Sequence, residues 1–254
     1  MPCVVPFTNS NLDTSFFVLK PIGVFEEDLV EALKYFSFCS EDQGCTYSSI
    51  LKSIHGNMVI WYGAWMKRSD EKMKLLTANL KSAITSLSSM ATLENYGFIE
   101  AYGGESKDGH PVAKFSSGDI LFITCTLPIS DDLSNNLSYA YLALLRSWFL
   151  KMEGALSGVC FRCYENPMVA SVHVWESLHS FYSWLLSFNH RETVEPYLNH
   201  LSLDIKYDAF QAIYVNNDDT LNRSLFPPPH FISSGDGSKE NKDLGSPKDS
   251  KLKL

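Results

Sequence analysis

The chain has 254 residues, a formal net charge of −8 at pH 7 and 45% hydrophobic residues, among them 16 Phe, 12 Tyr and 5 Trp. Negative charge without a Lys/Arg-rich stripe disfavours nucleic acid and anionic lipid as partners. The longest apolar run, Met58 to Met66, is about half as long as a bilayer-spanning helix, so no membrane partner is expected. Met1 to Asn11 lacks the basic and apolar regions of a secretory signal, which makes the expected location cytoplasmic, with a nuclear one left open. Six cysteines are too sparse for a disulfide scaffold and are expected as free thiols.

In chain order, Ser15 to Lys20 is short, β-prone and closed by Pro21, which predicts an entering strand. Phe25, Leu29, Leu33 and Phe36 then recur at helical spacing behind an acidic first turn, predicting a helix that ends near Cys39. Residues 57–66 form a continuous apolar run, the pattern of a strand covered on both faces at the centre of a sheet. After Ser69, Asp70 and Glu71, the positions Met73, Leu76, Leu80, Ala83 and Leu87 mark one face of a long helix.

From Gly97 to Leu127 the period changes, and three short strands near 98–102, 112–115 and 120–124 suggest an antiparallel meander. Ser130 to Asp132 opens a third helix, with Leu133, Leu137, Tyr141, Leu144 and Trp148 on one face and Gly154 as its stop. Residues 158–163 and 169–174 read as a hairpin. Helices over 181–188 and 193–201 and a last strand over 210–215 complete the body, with no internal repeat in view. The architecture expected is a single α+β domain over 1–230, built on a mostly antiparallel sheet of about seven or eight strands flanked by helices. Residues 231–254 read as a disordered polar tail.

Among chemistry-bearing residues, Cys160 and Cys163 have the spacing of a zinc-ligand or redox pair. Zinc would need two further ligands, such as Cys39 with Cys45 or His173 with His179. Strand alternation would instead send Cys160 and Cys163 to opposite faces, so neither metal nor cofactor is expected. Cys160, His173 and Asp204 can be written as a nucleophile, base and orienting acid, as can many other sets. No local signature for serine-hydrolase, metal-hydrolase, phosphate-loop or dinucleotide chemistry occurs. Gly103 to Gly109 joins two expected strands and reads as a hairpin connection. Trp61, Tyr62 and Trp65 read as core, or as one wall of a ligand pocket. Phe226 to His230 has the composition of a polyproline segment, and Ser246-Pro247 that of a phosphate acceptor.

The runs His55 to Ser69 and Lys151 to Cys160 resemble a plant protein family of unknown function over roughly residues 1–230. The resemblance implies a single domain and supplies no activity, cofactor or site residue. On these grounds the expected role is a non-enzymatic adaptor that binds another protein. The alternatives are an enzyme with a dispersed site around Cys160, Cys163 and His173, or a small-molecule-binding module beside Trp61 and Trp65. A polar tail buries little apolar area, so truncation after residue 232 is expected to shift unfolding stability by no more than about 0.5 kcal/mol, measured by thermal melting.

Overall fold

The computed structural model describes residues 1–8, 11–163, 167–187, 194, 198 and 200–216. In chain order the elements begin with β1 (Cys3–Pro6), β2 (Leu12–Pro21), α1 (Glu26–Asp42), β3 (Cys45–Ser53), β4 (Val59–Met66), α2 (Asp70–Thr85) and β5 (Ala91–Ser106). They continue with β6 (Val112–Phe115), β7 (Ile120–Pro128), α3 (Ser134–Trp148), β8 (Ala155–Cys163), β9 (Val169–Trp175), α4 (Leu178–Ser187) and β10 (Ser202–Val215). The chain is thus a mixed α+β domain, and its expected antiparallel sheet closes into a barrel of eight strands, ordered β10-β3-β4-β2-β5-β8-β9-β7. Closure occurs where β7 pairs back onto β10.

Strand β4 shows how the layers form. Its even pleat places Val59, Trp61 and Trp65 in the outer core with Leu29 and Leu33 of α1 and Leu76 and Leu80 of α2. The alternate residues Ile60, Tyr62 and Ala64 belong to the cluster inside the barrel. The run expected to be covered on both faces is therefore covered by helices outside and by barrel interior inside. A closed barrel has no central strand, which corrects its placement at a sheet centre. Over the other half of the barrel, Ile120 and Phe122 of β7 and Trp175 of β9 form a second outer core with α3 and α4.

The order β2-α1-β3-β4-α2-β5 is repeated as β7-α3-β8-β9-α4-β10. Each half orders its strands alike, β5-β2-β4-β3 and β10-β7-β9-β8, and the halves join through the β5–β8 and β10–β3 pairs. The expectation of no internal repeat is corrected by this duplication of topology. The meander over 97–127 is corrected too, because β5, β6 and β7 do not pair with one another. That stretch is the joint between the halves: β5 pairs with β2 and β8, β7 with β9 and β10, and β6 with β1. Strands β1 and β3 lie outside the sequence expectations, since β1 is only four residues long and β3 mixes serine, threonine and lysine with its apolar residues without regular alternation. Most of the helix expected over 193–201, and all of the polyproline segment, Ser246-Pro247 and the tail, lie outside the described residues.

Strands β1 and β6 form a separate two-stranded sheet, with Val5 opposite Ala113 and Cys3 opposite Phe115. It packs across one end of the barrel, against β3, β5, β8 and β9. Its buried face carries Cys3, Val5, Ala113 and Phe115, and the Phe7 amide extends the pairing to the Pro111 carbonyl at 3.0 Å. The Phe7 ring lies on Gly104 of β5 so closely that a Cβ there would sit 2.2 Å from it. Gly104→Val is expected to push Phe7 and β1 off the barrel end at a cost of about 1–3 kcal/mol. Cys3, fully buried in the native chain, reports this: its thiol should become reactive to a labelling reagent in the variant and stay protected in the parent.

Candidate ligand cavity

The inner face of the barrel encloses a cavity of about 420 Å³. Its wall is apolar: Phe16 and Val18 from β2, Leu51 from β3, Ile60 and Tyr62 from β4, and Val172 from β9 are representative. The β1–β6 sheet ends the cavity with Val5, Ala113 and Phe115. Polar side chains gather at the opposite end, where Glu94, Asn95, Asp204, Lys206 and Asp208 form the mouth.

Two irregularities in the ladders shape this mouth. Val18 pairs with Asn95 and Leu19 with Leu93, so Glu94 is the extra residue of a β-bulge on β5. On β10 the register slips between Ser202 and Asp204, just before the acidic rim residues. Bulges bend a strand and re-aim its side chains, and these two bring carboxylates to the rim of an otherwise apolar interior. Asp208 accepts hydrogen bonds from the Ser53 hydroxyl and the Ala209 amide, while Lys206 stands 3.7 Å from Asp204. Asn95 donates to the Met168 sulfur at 3.7 Å. Cys125 and Cys163 are half-buried on the inner side near this end, and burial pushes the Cys125 thiol up to about 11.

Tyr62 is the exception to the apolar wall. Its phenol Oη is buried and has no hydrogen-bond partner among the described residues. Burial, with the Cys3 and Cys45 thiols adding to it, holds the phenol well above its ordinary value. The group is thus a neutral donor at any physiological pH, and a buried donor without an acceptor costs about 1–3 kcal/mol. Trp61 and Trp65, expected beside a pocket, lie on the other side of β4. Their indole nitrogens donate to Ser37 and Ser15 at 2.8 and 2.9 Å in the outer core. Of the three aromatic residues singled out in the sequence, only Tyr62 faces the cavity.

Cys160 and Cys163 are divided by the barrel wall, as strand alternation requires. Cys160 is buried in the outer core beneath α3, and Cys163 packs toward the interior cluster. Cys160 pairs with Ser171 and Gly158 with His173, so Cys160 and His173 are near neighbours on one outer face. Asp204 is elsewhere, at the cavity mouth. Burial raises the Cys160 thiol to about 12 and lowers the His173 imidazole to about 4, which leaves both neutral. Cys45 is buried on β3 and raised to about 12. Among the described residues no group of three His, Cys, Asp or Glu is placed to hold a metal ion. The Gly103–Gly109 stretch ends β5 and turns at Gly109 with φ 74°, and its Asp108 is engaged by Ser106, the His110 amide and Lys114. It does join two strands, but they pair with other partners.

A family model described as "Domain of unknown function (DUF7392)" matches residues 97–210. That span, less than half of the chain, runs from β5 into β10. Among curated proteins, no sequence matches this one. Solved structures do share the fold. An anthrone oxidase-like protein superposes with a TM-score of 0.70 at 12% identity, covering 84% of this chain and 95% of its own. A candidate monooxygenase from Fusobacterium nucleatum gives 0.57 at 12% identity, covering 82% and 95%. Another from Lactobacillus acidophilus gives 0.51 at 12% identity, covering 81% and 96%.

These findings overturn the expectation of a non-enzymatic adaptor. The barrel is one that an anthrone oxidase-like protein and candidate monooxygenases also adopt, and many of the chain's large aromatic residues are used internally. Phe16, Tyr62 and Phe161 line the cavity, whereas Trp61, Trp65 and Trp175 pack beneath helices. No helix among the described residues is long and apolar enough to cross a membrane.

His173 generates a pH prediction. Its Nδ1 is buried without a partner among the described residues, and its ring lies over Gly158, where a Cβ would meet it at 2.8 Å. The folded pKa of about 4 is below the unfolded value of about 6.5, so between those pH values the unfolded chain binds the extra proton. Stability from this group is therefore whole above pH 6.5 and declines as pH falls toward 4. The stability difference between the parent and His173→Leu, measured by urea unfolding, is expected to shift against the parent by about 3 kcal/mol between pH 7 and pH 4.

Proposed function

We propose that the barrel binds an apolar, ring-containing small molecule that carries a carbonyl or phenol oxygen, and that it oxidises this ligand with dioxygen. The single observation that carries the reading is the apolar cavity of about 420 Å³ whose wall holds the Tyr62 phenol, a buried donor without a partner among the described residues. Pockets of roughly 300–1,000 Å³ with few polar groups suit compact organic ligands, and the placed polar groups fix their orientation. The name of the anthrone oxidase-like neighbour supplies a reaction class and a concrete probe.

Anthrone, a tricyclic ketone, has its carbonyl and its CH2 group on opposite sides of the central ring. With the carbonyl oxygen accepting from Tyr62, the CH2 group is directed toward the mouth, where Glu94 is projected by its bulge. Glu94 is then the carboxylate to take a proton from that carbon, and Tyr62 stabilises the enolate oxygen that results. Dioxygen is the electron acceptor: one of its oxygen atoms becomes the new carbonyl, the other leaves in water with the two hydrogens of the CH2 group.

The test uses Tyr62→Phe. Removing an unpartnered buried hydroxyl is expected to raise the stability of the ligand-free chain by about 1 kcal/mol, while weakening anthrone binding about tenfold. Opposite signs for stability and affinity mark a group kept for ligand rather than for fold. Fluorescence titration, denaturant unfolding and oxygen uptake with anthrone are the measurements. Absence of both binding and oxygen uptake in the parent chain would refute the reading.

A further inference from the structure

We propose that the β1–β6 sheet is the depth stop of the cavity and that Ala113 and Phe115 set the largest ligand the barrel accepts. This rests on the reading of the cavity as a ligand site. The sheet belongs to neither repeated half and pairs with none of the eight barrel strands. It lies across one end with a single buried face, and from that face Val5, Ala113 and Phe115 reach the cavity. Access is therefore from the Glu94 and Asp204 end alone, and every ligand meets the same floor.

The floor is uneven in a way that gives each residue a distinct effect. Ala113 stands opposite Val5, a low pair, whereas Phe115 stands opposite Cys3 and is tall. Phe115 is nearly buried, and so is Tyr62 on the neighbouring wall, whose phenol is electrostatically close to Cys3. A ligand oxygen that reaches Tyr62 thus has its ring edge against this floor. Extension of the ring system by one fused ring needs space that Phe115 occupies, and a larger residue at Ala113 removes space that a smaller ring system uses. The backbone of the sheet is held apart from these side chains: Lys114, on the opposite face, reaches Asp108 at 3.7 Å, and the Phe7 ring is seated on Gly104. The floor can be re-cut without unseating the sheet.

The experiment is a binding series of aromatic ketones with one to five fused rings against the full chain. The parent is expected to show a size limit beyond which affinity drops about tenfold or more, the penalty typical of one poorly fitting apolar group. Phe115→Ala is expected to move that limit up by one ring, with the first excluded ketone gaining about tenfold. Ala113→Leu is expected to move the limit down, weakening the largest accepted ketone about tenfold and leaving the single-ring ketone within about twofold. Protection of the Cys3 thiol certifies that the sheet is still seated in each variant. Should Phe115→Ala unseat it, Val5→Ala carries the same expectation with a smaller shift. An unchanged size limit in seated variants overturns the depth stop while leaving the cavity reading intact. Failure of the parent to bind any ketone overturns both.

Discussion

Everything in this molecule depends on the pairing of the two halves edge to edge. A half with the order β5-β2-β4-β3 has two open edges, and so has its counterpart. Joining β5 to β8 and β3 to β10 satisfies the backbone groups of all four edges at once. Closure also decides where each face goes. Helices α1 to α4 can only be outside, so the inner face must be filled by side chains of the eight strands alone. Eight-stranded barrels are just wide enough for side chains to fill. Here several inward positions are small, Ala64, Ala170 and Cys125 among them, and the interior keeps an apolar void instead of a packed core.

The elements that follow from local periodicity were legible in the sequence. The faces of α1 and α2 emerge from Leu29, Leu33, Leu76 and Leu80, and the run from Val59 to Trp65 announces a strand covered twice. What the sequence concealed was long-range. Nothing local in Cys45 to Ser53 says that it pairs with residues near 210, and nothing in 97–127 separates a meander from a joint between two halves. The duplication is hidden because equivalent positions carry different residues: β4 offers Trp61 and Trp65 to its helices, whereas its counterpart β9 offers His173 and Trp175.

The candidate site was legible in few residues and for the wrong reasons: Asp204 stood out only as an orienting acid for Cys160 and His173, from which the structure separates it. Tyr62 was noticed with its tryptophan neighbours as aromatic bulk, yet the pleat assigns the tryptophans to the outside and the tyrosine to the cavity. Glu94 carried no signal, since its position at the mouth comes from a bulge that only the register between β2 and β5 reveals. Cys160, Cys163 and His173 stood out by residue type, whereas the cavity is defined mainly by residues that look like ordinary core. The two halves also differ in how their outer-core tryptophans are satisfied. Trp61 and Trp65 both find serine hydroxyls, while the Trp175 indole nitrogen and His173 Nδ1 find none among the described residues. Of these two groups only the His173 imidazole titrates, so the expected loss of stability in acid arises in the second half.

The stopper at the barrel end has a consequence for assembly. Strand β1 pairs with β6 more than a hundred residues downstream, and the seat of β6 on β5 and β8 exists only when the halves have met. The β3–β10 seam likewise waits for the last strand of the described body. Contacts so distant in sequence are formed late, because the loop entropy must be spent before they return anything. The β1–β6 sheet is therefore expected to be among the last parts to dock, and until it does the end of the cavity that it covers stays open. On that order of events the cavity of a folding chain is first a tunnel, and it becomes a cup only when the β1–β6 sheet settles into place.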